Sequence, residues 1–221
     1  MTGALRAAWL DEATNKGSVS MDVCPHVRYR IDRDDRIAEV NDAWPKFATE
    51  NEGDGLEPSR ILSRSIWDFL ADDTTIQLYK SMIRQSREGG LPVRFRFRCD
   101  SPDRRRLLAM EITSNLEGDV MFTVRSAVEQ SRPYVSLLGH ADLHSGGFLV
   151  MCAWCKHIPL STDRWVEAEE AVDALGLFSG SPLPALTHGI CPSCFNALEQ
   201  LLQDRELAAA GTVTCGALKV T

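Results

Sequence analysis

Two Cys-x-x-Cys pairs place the strongest constraint on this chain of 221 residues. Cys152 and Cys155 form the first pair, Cys191 and Cys194 form the second, and residues 156–190 lie between them. Four thiolates complete the tetrahedral coordination of a structural zinc ion, and a two-residue gap lets both sulfurs of a pair face one ion. The sequence therefore predicts a zinc site with four cysteine ligands, which leaves no open coordination position for catalysis.

The residues around the second pair indicate how such a site is built. The run from Asn196 to Leu202 favours a helix, so Cys194 is expected near a helix start. Backbone N–H groups and the helix dipole stabilise thiolate charge there. A tight turn, or knuckle, at the first cysteine pair and a helix that begins at the second pair predict a treble-clef-like module. His188, three residues before Cys191, is expected to contact a ligand or to be exposed rather than to bind the ion.

A dithiol–disulfide site at the first pair is the alternative, because Trp154 and Lys156 flank these thiols. Such a pair is typical of a strand end in a βαβ unit, and the sequence does not indicate that unit here. It also would not require Cys191 and Cys194. The zinc interpretation is therefore preferred.

Composition restricts the compartment and the partners. The formal net charge is −7 and the isoelectric point is about 5.3, which argues against general nucleic-acid binding. Neither a secretory signal nor an apolar run of membrane-spanning length is evident. The remaining cysteines, Cys24, Cys99 and Cys215, are then best interpreted as reduced thiols. These features predict a cytoplasmic protein that does not contact a membrane.

Residues 27–127 have the pattern of an α+β domain. Val27–Ile31 and Arg36–Val40 alternate apolar and polar residues as a hairpin, and helical segments follow as far as Gly89 and Gly90. Three more alternating strands end near Ser126. Two strands, a helical stretch and three strands make a domain of ordinary size.

This order resembles the PAS family of sensor domains, in which helices cover one face of a five-stranded antiparallel sheet. Local sequences resemble a bacterial PAS-like group at Tyr29–Asp32, Asn41–Trp44, Ser65–Phe69 and Arg98–Pro102. The segments Cys-Ala-Trp-Cys-Lys and His-Gly-Ile-Cys-Pro-Ser-Cys are similar to segments appended to bacterial PAS and response-regulator proteins. The resemblance implies a sensory or regulatory role in signalling.

The predicted architecture is α+β, with a PAS-like five-stranded antiparallel sheet and a treble-clef-like zinc module. The predicted parts are an N-terminal extension (1–26), the sensor domain (27–127), a linker (128–147), the zinc-binding module (148–207) and a loose tail (208–221). Within the module, Trp165–Leu177 is predicted to form an acidic helix.

Aromatic side chains of the sensor could line a ligand pocket or simply fill its core. They are Trp44, Trp67, Phe69, Tyr79, Phe95 and Phe97. Residues 27–127 contain no histidine, which argues against His-ligated haem. Their only cysteine, Cys99, ends a strand, whereas a LOV-type flavin adduct requires a cysteine in the helical segment. No phosphate loop, dinucleotide fingerprint or nucleophile elbow occurs, so no enzymatic activity is predicted.

Strand alternation also predicts a basic outer face on the sheet. Its arginines are Arg28, Arg30, Arg94, Arg96, Arg98 and Arg125. One interpretation is a solvated face with Glu39 and Glu111 as local partners. The other is a docking surface for an acidic element, either the helix bearing Glu167, Glu169, Glu170 and Asp173 or a second copy of the chain.

The function predicted from these features is cytosolic signalling, with a sensor coupled to a structural-zinc interaction module. A protein partner or self-association is expected to carry the output. The alternatives are a zinc-dependent transcription regulator that binds DNA and a thiol-redox protein that uses the cysteine pairs.

Overall fold

A five-stranded antiparallel sheet forms the first half of the molecule. The computed structural model describes residues 26–50, 53, 55–70, 72–139, 144–177 and 183–213. The strands are β1 (Val27–Ile31), β2 (Ile37–Val40), β3 (Val93–Arg98), β4 (Arg104–Ser114) and β5 (Val120–Ser131). Their order across the sheet is β2-β1-β5-β4-β3. The fold is α+β, and this sheet with its helices is called the sensor below, a label taken from the sequence prediction for residues 27–127.

Helical segments between β2 and β3 cover one face of this sheet. They are α1 (Trp44–Glu50), α2 (Pro58–Ile61), a 3₁₀ turn (Ile66–Phe69) and α3 (Asp73–Gly89). The Asp72 side chain caps α3 by accepting a 2.7 Å hydrogen bond from the Thr75 N–H. Gly90 ends it with a φ of 62°, a left-handed conformation that favours glycine. Leu78, Met82 and Ile83 are the buried apolar stripe of α3.

The second half is built around a parallel strand pair. Strand β6 (His144–Cys152) pairs with β9 (Leu183–Gly189), and a hairpin of β7 (Ile158–Ser161) and β8 (Arg164–Val166) lies between them in the chain. Helix α4 (Ala168–Ala174) follows the hairpin, and α5 (Pro192–Val213) follows β9. This part is called the cysteine module below. None of the described helices has both the length and the apolar character needed to cross a bilayer.

The predicted acidic helix is shorter than expected. Arg164–Val166 pairs with β7 instead, with Trp165 opposite Pro159. Glu167 remains extended, with a ψ of 154°, and the helix starts only at Ala168. Pairing in the hairpin thus overrides the helical periodicity around Trp165, a tertiary effect that local pattern does not contain.

The predicted linker and tail also differ from the structure. Strand β5 continues to Ser131 because β4 is long enough to pair with it along its whole length, from Arg104 to Ser114. Val135 and Leu137, within the predicted linker, are buried. Helix α5 extends past residue 207 to Val213. The predicted extension is outside the described residues up to residue 25, as is the tail from residue 214 onward.

The two halves share one hydrophobic core. Trp154, Leu198 and Leu202 of the cysteine module are buried in the same cluster as Met82 and Phe95 of the sensor. A second, smaller cluster joins the module to the segment before it, and consists of Val135, Leu137, Met151, Ile158, Val166, Ala168, Ala171 and Val172. The module is therefore packed on the sensor and is not an independent appendage.

Candidate metal centre

Parallel pairing of β6 and β9 brings the two cysteine pairs together. Cys152 is in register with Gly189, so both strands end at the same edge of their sheet. The first knuckle follows β6 directly, and the second pair begins two residues after β9, at the start of α5. All four Sγ atoms lie within 4.8 Å of one another.

The spacing of the sulfurs fits a tetrahedral metal ion. Cys155 Sγ lies 3.7 Å from Cys191 Sγ, and a zinc ion with Zn–S bonds of about 2.3 Å requires an S–S edge of about 3.8 Å. The backbone N–H of Cys191 donates to Cys152 Sγ, and that of Cys194 donates to Cys191 Sγ, both at 3.4 Å. Cys152 and Cys191 are buried. Four cysteine sulfurs, some of which accept hydrogen bonds from backbone N–H groups, are suitable ligands for zinc.

Backbone hydrogen bonds hold the first knuckle in shape. The Lys156 N–H donates to the Cys152 carbonyl at 3.0 Å, and the Cys152 N–H donates to the His157 carbonyl at 2.8 Å. The Ala153 N–H donates to the Gly189 carbonyl at 2.8 Å, which ties the knuckle to β9. Lys156 has a φ of 60°, a conformation that costs a non-glycine residue on the order of 1 kcal/mol. The knuckle is thus a strained turn.

Hydrogen bonds among the four thiols divide the negative charge unequally, because they raise the pKa values of Cys155 and Cys194 and favour the thiolate at Cys152. Hydrogen bonds from the other three thiols lower the pKa of Cys152. Lys156 lies in the field of Cys99, Asp100 and Cys152; burial lowers its pKa, and these three groups act in the opposite direction. Because four thiolates and one Zn²⁺ have a net charge of −2, an ammonium group in this position offsets part of the excess.

His188 lies on β9 opposite Met151 and is exposed. Partial desolvation lowers its pKa, and the positive charge of Lys156 acts in the same direction. Backbone N–H groups that donate to the clustered sulfurs include those of Cys191 and Cys194. The predicted contact between His188 and one of the metal-binding cysteines stays a prediction.

The expectation that no βαβ-like unit surrounds the first pair was wrong. Strand β6 precedes Cys152, and the chain crosses through the hairpin and α4 to the parallel strand β9. A strand before the first pair thus does not discriminate between zinc and a redox dithiol. The convergence of all four sulfurs does, because a dithiol pair would not need Cys191 and Cys194 beside it.

Trp154 joins the knuckle to the sensor. It stands between the two cysteines of the first pair, and its side chain is 6% exposed. Its ring centroid lies 5.9 Å from that of Tyr79 on α3 and 6.3 Å from that of Phe95 on β3. The Arg98 N–H donates to the Trp154 carbonyl at 2.7 Å. The knuckle therefore meets the sensor through both its backbone and its side chain.

A buried ionic network joins the same two parts. Asp100, 1% exposed, pairs with Arg98 and, at 3.1 Å, with Arg132. Arg98 also donates to both carboxylate oxygens of Glu167, at 2.7 and 2.9 Å. Arg105 pairs with Glu169 at 2.8 Å. Asp100, Arg105 and Arg132 were not candidates in the sequence, because no pattern shows that the module covers the end of β3.

The C-terminal helix adds a third contact. Gln85 Nε2 of α3 donates to the Leu202 carbonyl at 3.0 Å and to Glu206 at 3.2 Å. Arg205 donates to the carbonyl oxygens of Pro92 and Leu91, at 2.6 and 2.7 Å. Helix α5, which carries Cys194, therefore lies against α3 and the residues just before β3.

The ion pair between Arg98 and Glu167 is expected to stabilise the docked module. Burial opposes ionisation of Glu167, but hydrogen bonds from His157 and Arg98 outweigh it and lower the Glu167 pKa to about 2. A lowered carboxylate pKa stabilises the fold above the unfolded value, about 4.3. That contribution is lost as the pH falls from there through about 2.

A double-mutant cycle of Arg98→Met and Glu167→Gln at pH 7 measures this pair. Glu167 is 33% exposed, so solvent screening limits the coupling energy to about 1–2 kcal/mol. The measurement is urea unfolding of zinc-saturated protein. Arg164→Met with Glu170→Gln, an exposed pair in the same module, is the matched control. Equal coupling in the two cycles would contradict the prediction.

The predicted arginine face divides into groups. Arg98 is buried against Asp100 and Glu167 because the module covers the end of β3, so it is not part of an open surface. Arg94 pairs with Glu111, and Arg30 pairs with Glu39 and Asp119. Arg28, Arg96 and Arg125 are exposed. In the acidic helix, Glu169 contacts the sensor by pairing with Arg105. Glu170 pairs with Arg164 of the module, and Asp173 is exposed.

A shallow cavity lies on this outer face. Its volume is about 390 Å³. Ala109 is opposite Arg96 on one side and Arg125 on the other, so a small side chain separates two long cations. The lining residues are Arg94, Phe95, Arg96, Ala109, Met110, Glu111, Thr123 and Arg125.

The six aromatic candidates for a ligand pocket lie in the core or against it. Tyr79 contacts Phe95, and Phe95 contacts Phe97, each with ring centroids 6.2 Å apart. The Trp44 indole donates to the Leu56 carbonyl at 2.8 Å, and the Trp67 indole donates to Asp35 at 3.1 Å. Phe69 lies beneath the Arg64 guanidinium. Both interpretations of these residues, pocket and core, remain predictions.

Comparison with known proteins gives likenesses in fold alone. No family model matches the chain, and no curated protein matches it. A sensory box sensor histidine kinase from Vibrio cholerae is 11% identical with a TM-score of 0.34, over 56% of this chain and 92% of that one.

Two further solved structures are similar. The photoactive yellow protein domain of the sensor histidine kinase Ppr from Rhodospirillum centenum is 20% identical with a TM-score of 0.35, over 50% and 93% of the two chains. The PAS domain of an HTR-like protein from Haloarcula marismortui is 21% identical with a TM-score of 0.31, over 56% and 98%.

Proposed function

We propose that the protein is a signalling protein in which a PAS-like sensor domain is docked on a zinc module whose ligands are Cys152, Cys155, Cys191 and Cys194. The observation that carries this proposal is the convergence of four Sγ atoms within 4.8 Å at the contact with the sensor. Bound zinc would crosslink the ends of β6 and the start of α5. The thiolates must stay reduced to bind the ion, so the proposed compartment is the cytoplasm.

Metal analysis and native mass spectrometry of protein purified without added metal test the zinc site. We expect one zinc per chain, which is released as the pH falls and the thiolate ligands take up protons, because the ligands bind zinc as thiolates. A metal-free protein whose four thiols form disulfides on mild oxidation and reopen with reductant would instead support the thiol-redox alternative. Iron in place of zinc would also contradict the proposal.

The proposed output is a protein contact on the outer face of the sheet. Arg28 and Arg125 are exposed, and the cavity around Ala109 is lined by Arg94, Arg96 and Arg125. A basic face on a chain with a net charge of −7 complements an acidic surface of a protein partner. The same overall charge disfavours DNA, whose binding would require a larger basic area.

Reversing Arg96 and Arg125 to Glu is expected to weaken this contact at least tenfold, because like charges then face the acidic surface. Anisotropy of a labelled poly-glutamate peptide measures binding, and sedimentation detects self-association, both at low and high salt. Arg60→Glu with Arg84→Glu, on the helical side, makes the same change in charge and is the control. Equal effects of the two double variants would leave only a solvated face.

A further inference from the structure

We propose that metal occupancy at the four cysteines is transmitted to the sensor core by Trp154. This inference rests on the zinc site proposed above and adds a route by which that site controls the sensor. Trp154 is held between Cys152 and Cys155, so its backbone cannot move without moving two ligands. Its side chain is buried in the aromatic part of the sensor core.

An unbroken series of aromatic contacts leads from Trp154 across the inner face of the sheet. Its ring contacts Tyr79 at 5.9 Å, and Tyr79 contacts Phe122 at 6.5 Å. Phe122 stacks on Tyr29 at 4.5 Å, and Tyr29 meets Trp44 of α1 edge to face at 5.5 Å. Close-packed rings of this kind cannot each keep their positions when the first is withdrawn.

The backbone provides a second connection at the same residue. The Arg98 N–H donates to the Trp154 carbonyl at 2.7 Å, at the end of β3. Among the described residues, this strand is the edge of the five-stranded sheet and pairs with β4 on one side. The knuckle thus accepts a hydrogen bond at the open side of the sensor's edge strand. Withdrawal of the knuckle exposes this amide to water.

The buried position of the Trp154 indole carries an unfavourable free-energy contribution. Its Nε1–H is buried and has no hydrogen-bond partner among the described residues, which is unfavourable for a buried donor. Lys156 adds a left-handed backbone conformation at the end of the same knuckle. A metal ion that holds Cys152 and Cys155 together offsets both costs, and without it the knuckle is free to relax. Bound metal therefore favours the conformation in which Trp154 is buried in the sensor core over one in which it is withdrawn.

Amide hydrogen exchange and NMR of the full chain test this coupling, with zinc bound and after removal of zinc by EDTA. On metal removal we expect the Arg98 amide to exchange faster by a factor of about ten or more, since loss of one ordinary hydrogen bond alone gives about tenfold. The Tyr79 and Phe95 ring signals should shift. Amides of β1 and β2, on the side of the sheet away from β3, should lose less protection than the Arg98 amide.

Trp154→Ala provides the decisive comparison, with Trp154→Phe as its aromatic control. Zinc-loaded Trp154→Ala should still bind one zinc with the cysteine module folded, and should show at Arg98, Tyr79 and Phe95 changes in the same direction as those that metal removal causes in the parent protein. Trp154→Phe should remain close to the parent.

Four outcomes would overturn the coupling. They are unchanged sensor signals when bound zinc is removed, loss of β1 and β2 protection as large as that at Arg98, a parent-like spectrum of zinc-loaded Trp154→Ala, and failure of that variant to bind zinc. A parent protein that binds no zinc at all would instead contradict the proposed zinc site itself.

Discussion

Cys191→Ser is expected to abolish stoichiometric zinc binding and to unfold the cysteine module. Cys191 is buried, and its sulfur lies 3.7 Å from Cys155 Sγ, so a hydroxyl cannot replace it as a soft donor. Structural zinc contributes about 10–16 kcal/mol of apparent binding free energy in small zinc domains, which makes this the largest effect expected. Metal analysis and circular dichroism measure it.

The sequence alone predicts that the sensor is spared in this variant, whereas the shared core predicts partial loss of its stability. Leu198 and Leu202 are buried against the sensor, and an unfolded α5 would expose the sensor surface that they cover. Ser193→Ala is the matched control, because Ser193 is exposed and lies between Cys191 and Cys194 in the sequence. A Cys191→Ser protein with one tightly bound zinc would refute the ligand assignment.

Asp100→Asn is expected to destabilise the protein by about 3–5 kcal/mol, the usual effect of removing one partner from a buried ion pair. The Asp100 side chain is 1% exposed and lies between Arg98 and Arg132, which are 9% and 3% exposed. An amide neutralises neither guanidinium. The midpoint of thermal unfolding should fall by about 10 °C for a chain of this size.

Asp103→Asn, in the same turn, is the control for this prediction. Asp103 is exposed and accepts a hydrogen bond from the Ser101 hydroxyl at 3.0 Å, so the midpoint should stay unchanged. If Asp100→Asn is as stable as the parent protein, the network does not hold the module on the sensor. Metal content should be the same in both variants, which separates this effect from loss of zinc.

The sequence by itself predicted much of the sensor, because its elements follow local periodicity. Alternation placed Val93 and Phe95 on the buried face of β3. The sequence put the start of α3 at Asp72 or Asp73 and its end at Gly89–Gly90, and the structure has Asp72 and Gly90 as the two caps. These signals depend on neighbours a few residues apart. The cysteine spacing likewise indicated four metal donors, since the number and chemistry of the ligands are written directly in the sequence.

Tertiary structure decided which surfaces meet. Alternation assigned Arg98 to the same open face as Arg94, yet the module covers it and pairs it with Glu167. The hairpin pairing of Trp165 ended the predicted acidic helix early. Neither outcome has a local signal, because both depend on strands and helices far apart in the chain.

The same division applies to the metal centre. The sequence identified Cys152, Cys155, Cys191 and Cys194 as candidate zinc ligands, and in the structure these four residues lie close together. Only the parallel pairing of β6 with β9 brings the two pairs to one edge, and only the docking of the knuckle on α3 and β3 places Trp154 beside Tyr79 and Phe95. Ligand chemistry is a property of residue type, whereas the contact between the metal site and the sensor requires the long-range burial of apolar surface that packs the two parts together.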